Sequence, residues 1–217
     1  SHSNLSHIFA YFASKVFYEE PSKGIESYKS ALKAEIFKHS IPIFCKENNK
    51  PAAAVWLNVS KGDERSQNDS YIRKSECDAI ITMIKKVIES KEGKDLTYGV
   101  IGFYKEQVEE IKKEARKHQL NYPENKLQIG TVDSFQGKQF DVVFLSVVRK
   151  NPRNIYGFIT VPNRLCVSMS RQKKILVVCG DKNFCTTDKA RIPGIKGIKP
   201  LADFYDLCSS NEYGLVI

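Results

Sequence analysis

No GxxxxGKS/T run occurs anywhere in the 217 residues, so the chain has no glycine-rich loop to cradle the β- and γ-phosphates of a nucleotide. An acidic DExx-type motif at a strand end, which would hold magnesium, is missing as well. No apolar stretch approaches the ~20 residues needed to span a bilayer, and no leader of basic, apolar and small residues opens the chain. The six cysteines form no CxxC pair, and His2, His7, His39 and His118 form no ligand cluster. Reduced thiols, with Cys77 and Cys179 on apolar faces, are therefore expected, and no metal site. Internal repeats and low-complexity tracts are absent too. These gaps exclude a self-sufficient nucleotide hydrolase, a helical membrane protein and a zinc module. They leave an intracellular protein, cytoplasmic or, in a eukaryote, nuclear.

With 41% hydrophobic residues, a chain of this length can bury roughly 70% of its unfolded surface in one core. Its formal net charge is +9, and the charge is unevenly placed: residues 146–199 carry twelve basic and two acidic side chains. A one-sided basic segment suits a phosphate backbone; the plainer alternative is a lysine-rich solvated surface.

The most informative stretch runs from Gly130 to Asp181. Leu127 to Val132 reads as a short strand, and Asp133-Ser134-Phe135-Gln136-Gly137-Lys138 breaks it with turn formers. Asp141 to Val148 follows as an almost wholly apolar run, the pattern of a parallel strand covered on both faces. Thr131, Asp133, Ser134 and Gln136 carry side chains able to meet phosphate, ribose or an arginine, and Gly137 permits close backbone approach. Pro162 then starts a short helix whose far end delivers Arg171, before a second buried strand from Ile175 to Gly180. A planar guanidinium held there suits a γ-phosphate; taken singly, a helix-end arginine favoured by the macrodipole would explain it equally well.

Elsewhere the pattern predicts a helix over residues 5–18, a strand over Ala53–Val59 and a polar loop over Lys61–Asp69. Next come a helix N-capped by Ser75, a strand over Leu96–Gly102, and a helix through Tyr104, Val108, Ile111 and Ala115 with a Glu109–Lys113 pair. Residues 192–217 read as a C-terminal extension with a helix near Leu201–Cys208. Strand and helix alternate as in βαβ units, which gives an α/β fold with a mostly parallel sheet.

At this point the residues reach a resemblance. TVDSFQGKQFDVVFLSVVR resembles motif V, and RLCVSMSRQKK motif VI, of the superfamily IB helicases typified by the nonsense-mediated-decay helicase and senataxin. VIGFYKEQVEEI is similar to their motif IV, and NLSHIFAYFASKVFYEE to the segment after their YRM motif. The likeness runs from about residue 4 to 182. It implies a RecA-like α/β domain, helices on both faces of its sheet, without its own P-loop: a single second RecA-like domain over residues 1–217, with Ser1–Ser3 an expression remnant.

By the same resemblance, Arg171 is the arginine finger, and Gln136, Gly137, Gln139 and Arg164 belong to the ATP cleft. Thr131, Ser134, Tyr104, Gln107 and, from the basic segment, Arg149 would touch the nucleic acid. ATP and Mg²⁺ would both require the absent N-terminal RecA-like domain, which is itself the implied partner together with single-stranded DNA or RNA. Gln139 stands where the family has glutamate, Cys166 where it has asparagine, and Lys173 where it has a second arginine. The expected activity is therefore that of half a helicase motor. The alternative is a non-catalytic nucleic-acid-binding or protein-interaction module on the same fold.

Overall fold

A computed structural model describes residues 39–217 except 48, 121, 124, 193, 195, 196, 211 and 212. The helix expected over 5–18 lies outside the described residues. In chain order the elements are β1 (Ala54–Asn58), β2 (Arg65–Gln67), β3 (Ser70–Ile72), α1 (Lys74–Ile88), β4 (Tyr98–Gly102), α2 (Lys105–Lys117), β5 (Leu127–Thr131) and β6 (Phe140–Ser146). There follow α3 (Pro162–Ser168), β7 (Gln172–Gly180), α4 (Lys182–Thr186), α5 (Lys199–Ser210) and β8 (Gly214–Val216). Six strands form one sheet in the order β5-β4-β6-β7-β1-β8, with every pairing parallel.

The apolar runs explain the layering. In β6, Val142 and Phe144 enter one core while Val143 and Leu145 enter the other; in β7, Ile175, Val177 and Cys179 alternate with Leu176 and Val178 in the same way. A period-two strand buried on both faces reads as unbroken apolar sequence. The first face is covered by α1, through Cys77, Ile80, Ile81, Ile84 and Val87, and by α2, through Ile111 and Ala115. The second is covered by Leu165 of α3 with Met169, and by Leu201, Phe204 and Cys208 of α5. The RecA-like α/β arrangement, helices on both faces, is thus present. All six cysteines are free.

The structure corrects several local expectations. The polar stretch 61–69 is not all loop: β2 and β3 form an antiparallel hairpin, turning on Asn68 and Asp69, both at positive φ (48° and 58°). The N-cap of α1 is Arg73, and the buried Ser75 hydroxyl finds no hydrogen-bond partner among the described residues. On α2 the Lys–Glu ion pairs are Glu109–Lys112, Glu110–Lys113 and Glu114–Lys117, because the three-residue spacing brings these side chains together as well as the four-residue one does.

The link from β5 to β6 positions the site. It must cross over β4, and it does so in only the eight residues 132–139, too few for a packed helix. A 3₁₀ turn, Val132–Phe135, lies directly on the sheet instead. Two glycines make room for it. A Cβ on Gly99 would sit 2.8 Å from the Phe135 ring, and one on Gly130 would sit 2.3 Å from Ser134 Oγ.

Candidate functional site

The strands β4, β5 and β6 end side by side, and their carboxyl ends carry the motif IV and V residues. Tyr104, which ends the β4 exit, is only 3% exposed. Its hydroxyl accepts the Phe158 amide proton at 3.2 Å, and its ring packs against Tyr71 and Phe158, with centroids at 5.3 and 5.5 Å. Burial pushes its phenol pKa up. Thr131 is half-buried and its hydroxyl is engaged by none of the described residues, whereas Ser134 Oγ donates to Thr131 O at 2.7 Å. A cavity of about 300 Å³ opens here. Asn68 and Ser70 of the hairpin, Lys105, Thr131, Phe158 and Arg164 stand among the residues that line it.

Two of the expected strand contacts are turned inward. Gln107 is fully buried: its Oε1 accepts the Arg73 amide proton at 2.8 Å and its Nε2 donates to Ser146 Oγ at 2.9 Å. Around it lies a closed polar network that the sequence reading missed. Arg73 Nη1 pairs with Glu76 at 2.8 Å, both side chains at zero exposure, while its other nitrogens donate to the carbonyls of Val59, Lys61 and Gly62. The second Glu76 oxygen accepts from Ser146 Oγ at 2.7 Å and from the Val148 amide at 2.9 Å. Burial pushes the Glu76 pKa up, against Arg73 and these donors. The hydrogen bond that the Val148 amide donates to Glu76 accompanies a φ of 68° at Val148, a conformation that a β-branched residue rarely adopts.

Arg149 is only 2% exposed. Its guanidinium donates twice to Ile155 O, pairs with Glu64 at 3.0 Å, and stacks over the Tyr71 ring at 3.9 Å. In this arrangement it clamps the loop after β6 to the β1–β2 connection and presents no charge to a phosphate.

The residues expected at the nucleotide, Arg164 excepted, lie at the other end of the sheet. Gln136 and Gly137 are exposed and Gln139 half-buried, immediately before β6 begins; Gly137 takes φ 76° with nothing within 4 Å of a would-be Cβ. Arg171 immediately precedes β7, and its carbonyl accepts the Phe140 amide proton at 3.0 Å, so these residues meet at the amino ends of neighbouring strands. Arg171 Nε donates to Val167 O at 3.0 Å and Nη2 to Ser170 Oγ at 2.9 Å. The α3 carboxyl end is a natural seat for a cation. Partial burial lowers the Arg171 pKa, and no carboxylate among the described residues pairs with it. Arg164 departs from this set: it sits at the opposite end of α3, pairs loosely with Asp133 at 3.5 Å and faces the Phe158 ring at 5.4 Å.

A family model described as an AAA domain matches residues 5–183 and so encloses motifs IV, V and VI. The chain belongs to this AAA-domain family. Among curated relatives, an uncharacterized ATP-dependent helicase of Methanocaldococcus jannaschii is 27% identical over 196 residues, covering 88% of this chain and 28% of the relative. The probable helicase senataxin of Homo sapiens is 34% identical over 128 residues, covering 57% of this chain and 5% of the relative. The AAA domain thus spans a minor part of both proteins. A solved C-terminal domain of a possible DNA helicase from Lactobacillus plantarum aligns with a TM-score of 0.46 at 12% identity, covering 85% of this chain and 96% of that one. The likeness to senataxin-type helicases drawn from the motifs therefore stands.

The basic segment over residues 146–199 is less bare than its composition implies. Besides Arg149, Lys150 pairs with Asp181, Arg191 with Asp206 and Lys199 with Asp203. Arg153, Arg171, Lys173, Lys174 and Lys182 have no carboxylate partner among the described residues. No cluster of His, Cys, Asp or Glu among the described residues could hold a metal ion, and no described helix is long and apolar enough to cross a membrane.

Proposed function

We propose that this AAA domain is the second RecA-like half of an ATP-dependent helicase motor, gripping single-stranded DNA or RNA at the carboxyl ends of β4 and β5 and meeting ATP at the amino ends of β6 and β7. The observation that supports this reading is the 132–139 crossover. It begins just after Thr131, with Val132 and Asp133 on the cavity, and ends at Gln139, next to Phe140, whose amide donates to Arg171 O. One short segment therefore connects both surfaces.

The donors at the second surface fit a nucleotide's phosphates: a guanidinium without a carboxylate partner, an exposed amide side chain and an open glycine turn. They do not fit magnesium, which needs carboxylate oxygens; those, and a phosphate-cradling loop, would come from an N-terminal RecA-like domain. ATP, when bound, supplies the phosphoanhydride whose hydrolysis drives the motor. Arg171 would supply positive charge to a terminal phosphate, and bonds to Val167 O and Ser170 Oγ fix its guanidinium. Thr131, with an uncommitted hydroxyl, and Lys105 face the strand, while Gln107 acts beneath them by holding the start of α1.

Titration of labelled polythymidine and polyuridine with the chain at several salt concentrations tests the strand surface. The expected Kd is on the order of 10⁻⁴ to 10⁻⁶ M, with a log–log salt slope of about −0.7 per phosphate contacted. Binding that ignores salt would instead favour a protein-interaction module, and a strong preference for one sequence would point to base readout.

A further inference from the structure

A lone exposed aromatic is ordinary on a protein surface, but Phe158 is not alone. At 53% exposure it is the outer rung of a buried ladder: Phe158 on Tyr104 at 5.5 Å, Tyr104 against Tyr71 at 5.3 Å, and Arg149 over Tyr71 at 3.9 Å. The ladder is fixed at both ends. Glu64 and Ile155 O hold Arg149, and the Phe158 amide donates to Tyr104. Gly157 takes φ 63°, and a Cβ there would lie 2.5 Å from the Tyr104 hydroxyl, so the turn is pressed onto that ring. Such a ring loses little freedom when something stacks on it.

The cavity of about 300 Å³ beside Phe158 combines an apolar wall, from Phe103 and Val132, with the polar groups of Asn68, Ser70, Lys105 and Thr131. Two carboxylates, Asp69 and Asp133, also line it, and Asp133 is loosely paired with Arg164 at 3.5 Å. Asn68 belongs to the turn of a hairpin tied to α2 by a 3.0 Å bond from Gln67 to Glu106. An apolar partner would leave these groups unpaired. A flat π-face would cover the ring, its polar edges could pair with the amide, hydroxyl and carboxylate groups, and flanking negative charge would meet Lys105 and Arg164.

We propose that this cavity receives one unstacked nucleobase of a single strand, stacked on the outward face of Phe158, with its flanking phosphates facing Lys105, Thr131 and Arg164. Bases in a duplex are already stacked on both faces, so the site selects single strands; every base has a π-face, so it does not read sequence. This rests on the strand reading above and adds to it a contact that phosphates alone do not make.

A Phe158→Trp variant tests it by fluorescence, since the chain has one other tryptophan, Trp56, which is fully buried. A thymidine strand should quench the new signal at saturation, a strand of abasic units of equal length should not, and the unsubstituted chain should show neither change. In parallel, Phe158→Ala should lower the ratio of affinities for ordinary over abasic strand by about 5- to 150-fold. Equal quenching by both strands, or an unchanged ratio in Phe158→Ala, would overturn the base site and leave phosphate binding standing. If neither strand binds the unsubstituted chain, the strand reading itself falls, and the base site with it.

Discussion

Two arginines of this domain show how burial divides roles that sequence alone treats alike. Arg171 is half-buried, oriented by Val167 O and Ser170, and faces no carboxylate among the described residues. In a protein carrying both RecA-like halves, Arg171→Ala is expected to lower ATP turnover about 10³-fold or more. Arg171→Lys should restore little of it, because a point charge cannot reproduce a planar fork; steady-state ATPase measurements on folded variants decide this, and near-normal turnover in the alanine form would make Arg171 a surface cation. Arg149, by contrast, is a structural clamp. Removing it leaves Glu64 without its guanidinium in a mostly buried setting, so Arg149→Ala should destabilise the domain by about 3–5 kcal/mol, read from the denaturant midpoint. An unchanged midpoint with weakened strand binding would return it to the phosphate track. Neither its burial nor that of Gln107 was legible in the sequence, since their partners Glu64 and Arg73 lie far away along the chain and only the fold brings them together.

Among the elements, the strands and helices that carry apolar periodicity were legible almost to their ends, because burial on two faces or on one stripe leaves a direct mark on composition. The β2–β3 hairpin was not, being three residues a side and exposed or half-buried throughout; its one signal was the Asn68-Asp69 pair, a combination that tolerates the left-handed turn. Strand β8 is equally short. The crossover 132–139 was visible as a turn, but its contact with Gly99 was not, because a glycine inside a strand does not announce what lies on it. That contact makes a sharp prediction. Gly99→Ala pushes a methyl group against both Phe135 and Phe140, at 2.8 and 3.0 Å, and should cost about 1–3 kcal/mol by overpacking. Urea unfolding of the variant measures this. Strand affinity should fall with it, since Thr131 belongs to the same segment, and a variant as stable as the parent would show that the crossover floats free of the sheet.

At the scale of the whole molecule, cation-bearing surfaces stand at both ends of one sheet, the sequence has no P-loop motif, and no acidic cluster among the described residues could hold a metal ion. The isolated chain should therefore show no ATP turnover above background, with or without nucleic acid, in a coupled-enzyme assay; turnover abolished by Arg171→Ala in this same chain would place a complete active site within it. The sheet also carries a schedule. Its outermost pairing partner for β1 is β8, whose residues follow all others in the sheet along the chain: Ala53 bonds to Tyr213 O at 2.9 Å, and Ile217 to Trp56 O at 2.9 Å. A ribosome delivers the chain from its amino end at about 5–20 residues per second. β1 thus leaves the exit tunnel long before its covering strand exists, and its main-chain edge stays open to water and to other nascent chains until residues 214–216 arrive. Within this sheet β8 is therefore the last strand to be made, and until it arrives the β1 edge offers unpaired main-chain groups to a wrong partner.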